Sequence, residues 1–158
     1  LDALEPFRCA ASFPEQKDPE PLLYLQDASY GSYDINLTVS ISNDSFSNDC
    51  VVSKSNYKHM YWNAKQQLVH HTVTGCNMRP GDLLGSGTIS GADESSYGSM
   101  IELSWKGSRS IDMPDGTVRK FLADGDSVMI DGVCIGDGFC VGFGDCSGKI
   151  LPAKPFTG

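Results

Sequence analysis

Histidine, basic charge and long apolar runs are all scarce in this sequence. Only three histidines occur (His59, His70 and His71), and none of the cysteines forms C-x-x-C, so no zinc-ligand spacing is present. Twelve Lys and Arg face twenty Asp and Glu, a formal net charge of −8. A surface that acidic repels phosphate backbones, which argues against nucleic acid as a partner. No apolar run approaches the ~20 residues of a membrane span, so no membrane partner is predicted. There is no basic segment followed by an apolar one at the start, and the first residue is Leu1. A chain beginning inside a longer polypeptide is therefore expected. The Asn- and Asp-rich loops lack the D-x-D-x-D-G order of a calcium hand. No internal repeat and no heptad pattern is visible.

What is present is 158 residues, 40% hydrophobic and 20% charged, the composition of one globular domain or a piece of a larger one. Seventeen glycines and eight prolines argue against a helical bundle and for a turn-rich, mostly β protein. The six cysteines are Cys9, Cys50, Cys76, Cys134, Cys140 and Cys146. The last three are evenly spaced and read as buried thiols on adjoining strands. Asn36-Leu37-Thr38 and Asn43-Asp44-Ser45 match the glycosylation pattern, but the first lies inside a regular strand pattern. With nothing else pointing to secretion, a reduced, cytoplasmic protein is the expectation.

Residues 1–31 carry Pro6, Pro14, Pro19 and Pro21 and read as an irregular connector. From Tyr33 to Ser42 apolar and polar residues alternate: Tyr33, Ile35, Leu37, Val39 and Ile41 share one face of a half-buried strand. Asn43 to Asn48 reads as a polar turn, and Val51-Val52 as the start of a short second strand. A helix is predicted over about 55–74, from Tyr57, Met60, Tyr61, Ala64, Leu68 and His71 at helical spacing. Ser53 or Ser55 would cap it and Gly75 would end it, with Met60, Tyr61 and Trp62 docking it on a sheet. Leu83-Leu84 leads as a strand into the small-residue loop Gly85 to Gly91. Met100 to Trp105 alternates and is predicted to be a strand. Asp115-Gly116, Asp124-Gly125 and Asp137-Gly138 mark turns. Phe139, Val141 and Phe143 alternate with Cys140, Gly142 and Gly144, whose bare face suits close backbone packing. The sum is a mostly β sandwich or roll with one helix.

Three places could carry chemistry. Glu102 is a lone carboxylate in an apolar stretch. Periodicity favours an outward charge on a solvated face; the functional reading is a carboxylate aimed into a pocket, able to orient and polarise a histidine. Thr88 is framed by Gly85, Gly87 and Gly91, where exposed backbone N–H groups and a hydroxyl could meet an anionic ligand. Composition alone favours an ordinary tight connection. His70-His71 is an adjacent pair, which points to different helix faces and suits structural roles better than metal binding. Lys54 and Lys106 are possible oxyanion partners. No complete nucleophile–base–orienter set and no metal cluster is visible.

Longer runs carry a resemblance. Gly75-Cys76-Asn77-Met78-Arg79-Pro80-Gly81-Asp82-Leu83-Leu84-Gly85-Ser86-Gly87-Thr88-Ile89-Ser90-Gly91 is one. Tyr97-Gly98-Ser99-Met100-Ile101-Glu102-Leu103-Ser104-Trp105-Lys106-Gly107 and Arg119-Lys120-Phe121-Leu122-Ala123-Asp124-Gly125-Asp126 are others. The run from Lys54 to Trp62 and the tail from Gly142 through Gly148-Lys149-Ile150-Leu151-Pro152-Ala153 complete the set. Together they resemble the fumarylacetoacetate hydrolase family, over nearly the whole chain.

The resemblance implies that residues 1–158 are the C-terminal segment of a catalytic β-sandwich roll, with an N-terminal domain and the upstream catalytic half outside it. It implies a hydrolase that cleaves the carbon–carbon bond of 4-fumarylacetoacetate to fumarate and acetoacetate, the last step of tyrosine and phenylalanine breakdown. It gives Glu102 a catalytic role, orienting a base histidine and favouring its protonated form, and Thr88 a substrate oxygen to bind. It implies a divalent cation, magnesium or calcium, in the full-length enzyme, with none held by this segment alone, which is expected to be inactive. The base histidine, the metal ligands and the oxyanion groups would all lie upstream, and none of His59, His70 or His71 matches the base. The implied partners are the small-molecule substrate, the upstream part of the same polypeptide and a second copy in a homodimer. A related β-keto acid decarboxylase or isomerase is one alternative reading. A non-catalytic β dimerisation or binding module is another.

Overall fold

The computed structural model describes residues 2–11 and 15–155, without the side chain of Ser47. Pro14, named above, lies outside the described residues. The connector opens with a 3-10 turn, Asp2–Phe7, followed by β1 (Arg8–Cys9). A second 3-10 turn covers Leu23–Leu25, and β2 (Ser32–Tyr33) pairs antiparallel with β1. Irregular backbone dominates between these pieces, as the prolines require.

The central sheet begins at β3 (Asn36–Asn43), which turns at Asp44-Ser45 into β4 (Phe46–Asn56). The turn is tight because the Asn43 side chain accepts from both the amide and the hydroxyl of Ser45. β3 pairs on its other side with β7 (Ser127–Ile135). β7 is itself shared on its far edge by β8 (Cys140–Gly142) and β9 (Cys146–Lys149), each opposite a different half of it. All these pairings are antiparallel. A separate ribbon joins β5 (Ile111–Asp112) to β6 (Val118–Arg119).

The alternation read over Tyr33 to Ser42 holds at Ile35 and Ile41 but breaks at Ser40, which is buried beside a register shift between β3 and β4. Ile35 and Ile41 are buried, and each anchors one of two apolar clusters. Ile35 packs with Phe7 and the fully buried Cys134; Ile41 packs with Phe46 and Met113. The core is therefore one sheet face covered at one end by the connector's first turn and at the other by residues 100–113. Three Asp-Gly turns also hold, with Gly116, Gly125 and Gly138 at positive φ.

Four expectations are corrected. The helix is shorter: β4 continues to Asn56, a 3-10 turn takes Tyr57–His59, and α1 spans only Ala64–Thr72. Its cap is Asn63, not Ser53 or Ser55. The Asn63 side chain accepts from the Gln66 amide while the Gln66 side chain accepts from the Asn63 amide, a complete capping box. The helix buries Gln66, which donates to the Leu25 carbonyl, whereas Leu68 is 41% exposed. α1 thus docks on the connector by amide hydrogen bonds rather than on the sheet by an apolar stripe.

Second, Leu83-Leu84 is no strand: the backbone there is irregular, and Leu83 is 97% exposed. Third, Met100–Trp105 is no strand. It forms α2 (Met100–Leu103), a single turn capped by Ser99. Fourth, Cys134, Cys140 and Cys146 do lie on adjoining strands, but only Cys134 is buried. All six thiols are free. Around Gly142 no described residue would lie within 4 Å of a Cβ, so the bare face is open to that extent. On the neighbouring strand β7, a Cβ at Gly132 would sit 3.3 Å from the Phe143 ring.

Candidate active site

The loop from Gly85 to Gly91 and the turn α2 meet above the apolar sheet face. A cavity of about 180 Å³ lies beneath α2 and the segment before it, lined by Val39, Val52, Tyr97, Met100, Leu103 and Ile130. Two contacts fix the loop. The Gly91 amide donates to the Ser96 carbonyl, and the Gly98 amide donates to Ser90 Oγ at 3.0 Å. Both glycines are needed for proximity. At Gly91 a Cβ would fall 2.5 Å from Ser96 Oγ; at Gly98 it would fall 2.6 Å from the Ile89 carbonyl oxygen. Real Cβ contacts do not come that close.

Glu102 sits on α2, half-buried, and does not point outward from a strand. Ser90 Oγ lies 2.9 Å from each of its carboxylate oxygens, and Ser99 Oγ donates to Oε2 at 2.7 Å. Ser99 also accepts from the Glu102 amide at 3.4 Å as the helix cap. The helix turn has a local cause: the Ser99 hydroxyl caps the backbone and also donates to the carboxylate of Glu102 three positions on. A six-residue alternation could not reveal that, but Ser99-x-x-Glu102 is a capping signature readable in the sequence.

Thr88 is exposed, and its hydroxyl makes no hydrogen bond among the described residues. Its methyl faces Gly98, 2.8 Å from where a Cβ would be. The two site residues predicted from sequence thus belong to one assembly: Thr88 on the loop, Glu102 on the turn, with Ser90 and Gly98 joining them. Ser90, Gly98 and Ser99 were not singled out from sequence.

α2 ends unusually. Trp105 and Lys106 both adopt positive φ, at 48° and 56°, followed by Gly107 at 81°. Two consecutive non-glycine residues in the left-handed region carry strain of about 1–2 kcal/mol each. The segment is held by bonds from the Lys106 amide to Ile101 and from the Arg109 amide to Ser104. Arg109 lies 4.5 Å over the Trp105 ring and pairs with Glu94 at 3.0 Å. Lys106 and Lys54 are both exposed.

The histidines separate. His59 lies against Gly91, its Nε2 3.1 Å from where a Cβ would be. His70 Nδ1 meets Tyr24 Oη at 3.0 Å, and His71 Nε2 meets Cys76 Sγ at 3.4 Å. His70, with Tyr24, Trp62, Leu83, Leu84 and Phe143, borders a wide apolar groove of about 1280 Å³. Neither this groove nor the cavity beneath α2 is lined by Thr88 or Glu102. Among the described residues no group of three or more His, Cys, Asp or Glu side chains could hold a metal ion. The residues present do not fit the divalent cation that the resemblance implies. No helix among them is long and apolar enough to cross a membrane.

The strongest electrostatic feature lies elsewhere. Asp126 is fully buried and receives Arg119 in a two-pronged contact at 2.8 and 3.0 Å. Asn43 Nδ2 and the Ala123 amide also donate to it, each at 2.8 Å. The Arg119 hydrogen bonds, aided by those from Ala123 and Asn43, outweigh burial and bring its pKa down to about 2. This network ties the β3–β4 turn, β6 and the start of β7 together, which is a structural role.

Glu102, bonded to Ser90 and Ser99 beside the Thr88 loop, lies within a stretch of sequence that matches a known class. The family described as "Fumarylacetoacetate (FAA) hydrolase C-terminal" matches residues 9–150. The chain belongs to the fumarylacetoacetate hydrolase family. Over 97% of its length it is 56% identical to the fumarylacetoacetase of Mus musculus and 54% identical to that of Homo sapiens. It is 53% identical to that of Arabidopsis thaliana over 98%. In each case it spans 36% of the relative's length.

Proposed function

We propose that this chain is the C-terminal part of a fumarylacetoacetase. That enzyme would hydrolyse the carbon–carbon bond of 4-fumarylacetoacetate to fumarate and acetoacetate in tyrosine and phenylalanine catabolism. The observation that carries the reading is identity above 50% to relatives of that name, sustained along nearly the whole chain. The half-buried Glu102, held as an acceptor by two hydroxyls, supports its proposed role. A carboxylate so fixed orients an imidazole N–H supplied from upstream and stabilises the imidazolium after that base takes a proton from water. Thr88, exposed and with its hydroxyl uncommitted among the described residues, binds a carboxylate oxygen of substrate or product.

The rest of the machinery belongs, in this reading, to the upstream part of the polypeptide. That part would supply the base and the ligands for a magnesium or calcium ion, which stabilises the departing enolate when bound. The exposed apolar groove bordered by Leu83 and Leu84 supports a chain that packs against more protein: the upstream part, and a second copy in a homodimer. A cytoplasmic location fits the reading.

The test is product analysis with the full-length polypeptide. Equimolar fumarate and acetoacetate support the hydrolase; carbon dioxide release would mark a β-keto acid decarboxylase instead. Glu102→Gln in the same protein should lower kcat by about 10²–10⁴, the size of a general acid–base contribution. Residues 1–158 alone should show no turnover.

A further inference from the structure

We propose that Ser90 is a positioning residue for the reaction proposed above, setting the rotamer of Glu102 and leaving one carboxylate oxygen open to an incoming donor. The inference rests on that functional reading. Its physical basis is proton accounting. A hydroxyl has one proton and an ionised carboxylate has none to give. The Ser90 proton is therefore directed to Glu102, where Oγ lies 2.9 Å from both oxygens. The Gly98 amide, donating to the same Oγ at 3.0 Å, occupies a lone pair and fixes that direction.

Ser99 adds a second hydroxyl, at 2.7 Å, to Oε2 alone. Oε2 then meets two hydroxyls and Oε1 only one. Of the carboxylate's roughly four acceptor sites, an open one remains on Oε1. The two serines differ in what else they do. Ser99 caps α2, so its loss disturbs the helix turn as well. Ser90 lies in irregular backbone, and its Oγ joins only the Gly98 amide and Glu102 among the described residues. It also ties the Thr88 loop to α2, so the proposed acid–base element and the proposed binding hydroxyl move as one body.

The experiment compares four variants of the full-length polypeptide, each by steady-state kinetics and thermal melting. Ser90→Ala should lower kcat by about tenfold, a part of the general acid–base effect, while KM changes less than about twofold. The acid limb of the kcat/KM profile should shift, because Glu102 no longer biases its partner in one geometry. Ser90→Thr, which keeps the hydroxyl, should recover most of the rate. Combining Ser90→Ala with Glu102→Gln should be no slower than Glu102→Gln alone, since both act through one group.

Losses that multiply in the double variant, or a Ser90→Ala enzyme with parental kcat and pH profile, overturn the proposal. If Ser90→Ala does not fold, Ser90→Cys keeps the volume with a much weaker donor, and parental kcat there overturns it equally. Glu102→Gln separates the two levels. Full activity in that variant removes the catalytic role of Glu102 and this inference with it, whereas a parental protein that yields no fumarate and acetoacetate removes the functional reading. An inactive Glu102→Gln beside a fully active Ser90→Ala removes the positioning role alone.

Discussion

Gly98 and Thr88 are packed so closely that no side chain can be added between them: a Cβ on Gly98 would lie 2.8 Å from the Thr88 methyl and 2.6 Å from the Ile89 carbonyl oxygen. The second of these atoms is backbone and cannot swing aside. Gly98→Ala should therefore push the loop away from α2, with a loss of about 1–3 kcal/mol typical of overpacking. Denaturant unfolding measures the stability, and product inhibition by fumarate reads the displacement of Thr88. Unchanged values on both would mean the loop tolerates the shift.

Thr88→Val should separate binding from stability. The hydroxyl has no hydrogen bond to lose among the described residues, and valine keeps the branched shape. We expect the melting temperature to hold while product affinity weakens by about 1.5–3 kcal/mol, the range for a hydrogen bond to a charged group. The change belongs in KM, because the contact exists in ground and transition states alike. A fall in melting temperature with unchanged inhibition constants would instead mark Thr88 as a structural loop residue.

The Asp126–Arg119 pair should govern the acid limb of stability. The folded pKa of Asp126 is about 2, below the ordinary carboxylate value. Its contribution, about 2 kcal/mol, is fully present above about pH 4 and is lost as pH falls toward 2. Arg119→Ala strands a fully buried carboxylate and should cost about 3–5 kcal/mol at neutral pH. Urea titrations at several pH values test both, and Asp126→Asn should flatten the profile between pH 4 and 2.

Lys106 offers a prediction of opposite sign. Its φ of 56° suits glycine, and its side chain makes no hydrogen bond or ion pair among the described residues. Lys106→Gly should raise stability by roughly 1 kcal/mol through relief of left-handed strain, partly offset by unfolded-state entropy. If activity of the full-length protein falls while stability rises, the lysine serves the chemistry as an oxyanion partner.

The sequence carried the sheet better than the helices. Ile35 to Ile41 specified its strand because a buried face imposes a period of two on both neighbours. Met100 to Trp105 has the same period yet folds as a helix turn, since Ser99 caps it and positive φ at Trp105 and Lys106 ends it. The apparent helix start at Ser55 was lost to ladder bonds: Leu37 pairs with Ser55, and Asn36 with Asn56, extending β4. Asn63-x-x-Gln66 was the signal for the true start. Glu102 and Thr88 were legible as residues but not as neighbours, because the joining atoms are a glycine amide and a serine hydroxyl. Such connectors have no periodicity.

The register of β3 with β7 places Ile41 opposite Val128, roughly 90 residues further along the chain. During synthesis at about 5–20 residues per second, β3 therefore waits on the order of 5–20 s for that partner to be made. Its hairpin with β4 can close in microseconds. For those seconds one edge of the hairpin, and the apolar face holding Ile35, Leu37, Val39 and Ile41, has neither β7 nor the segment around Met113 to cover it. The nascent chain must be kept from pairing with its neighbours over that interval, and the time is set by how far along the message the last central strand is encoded.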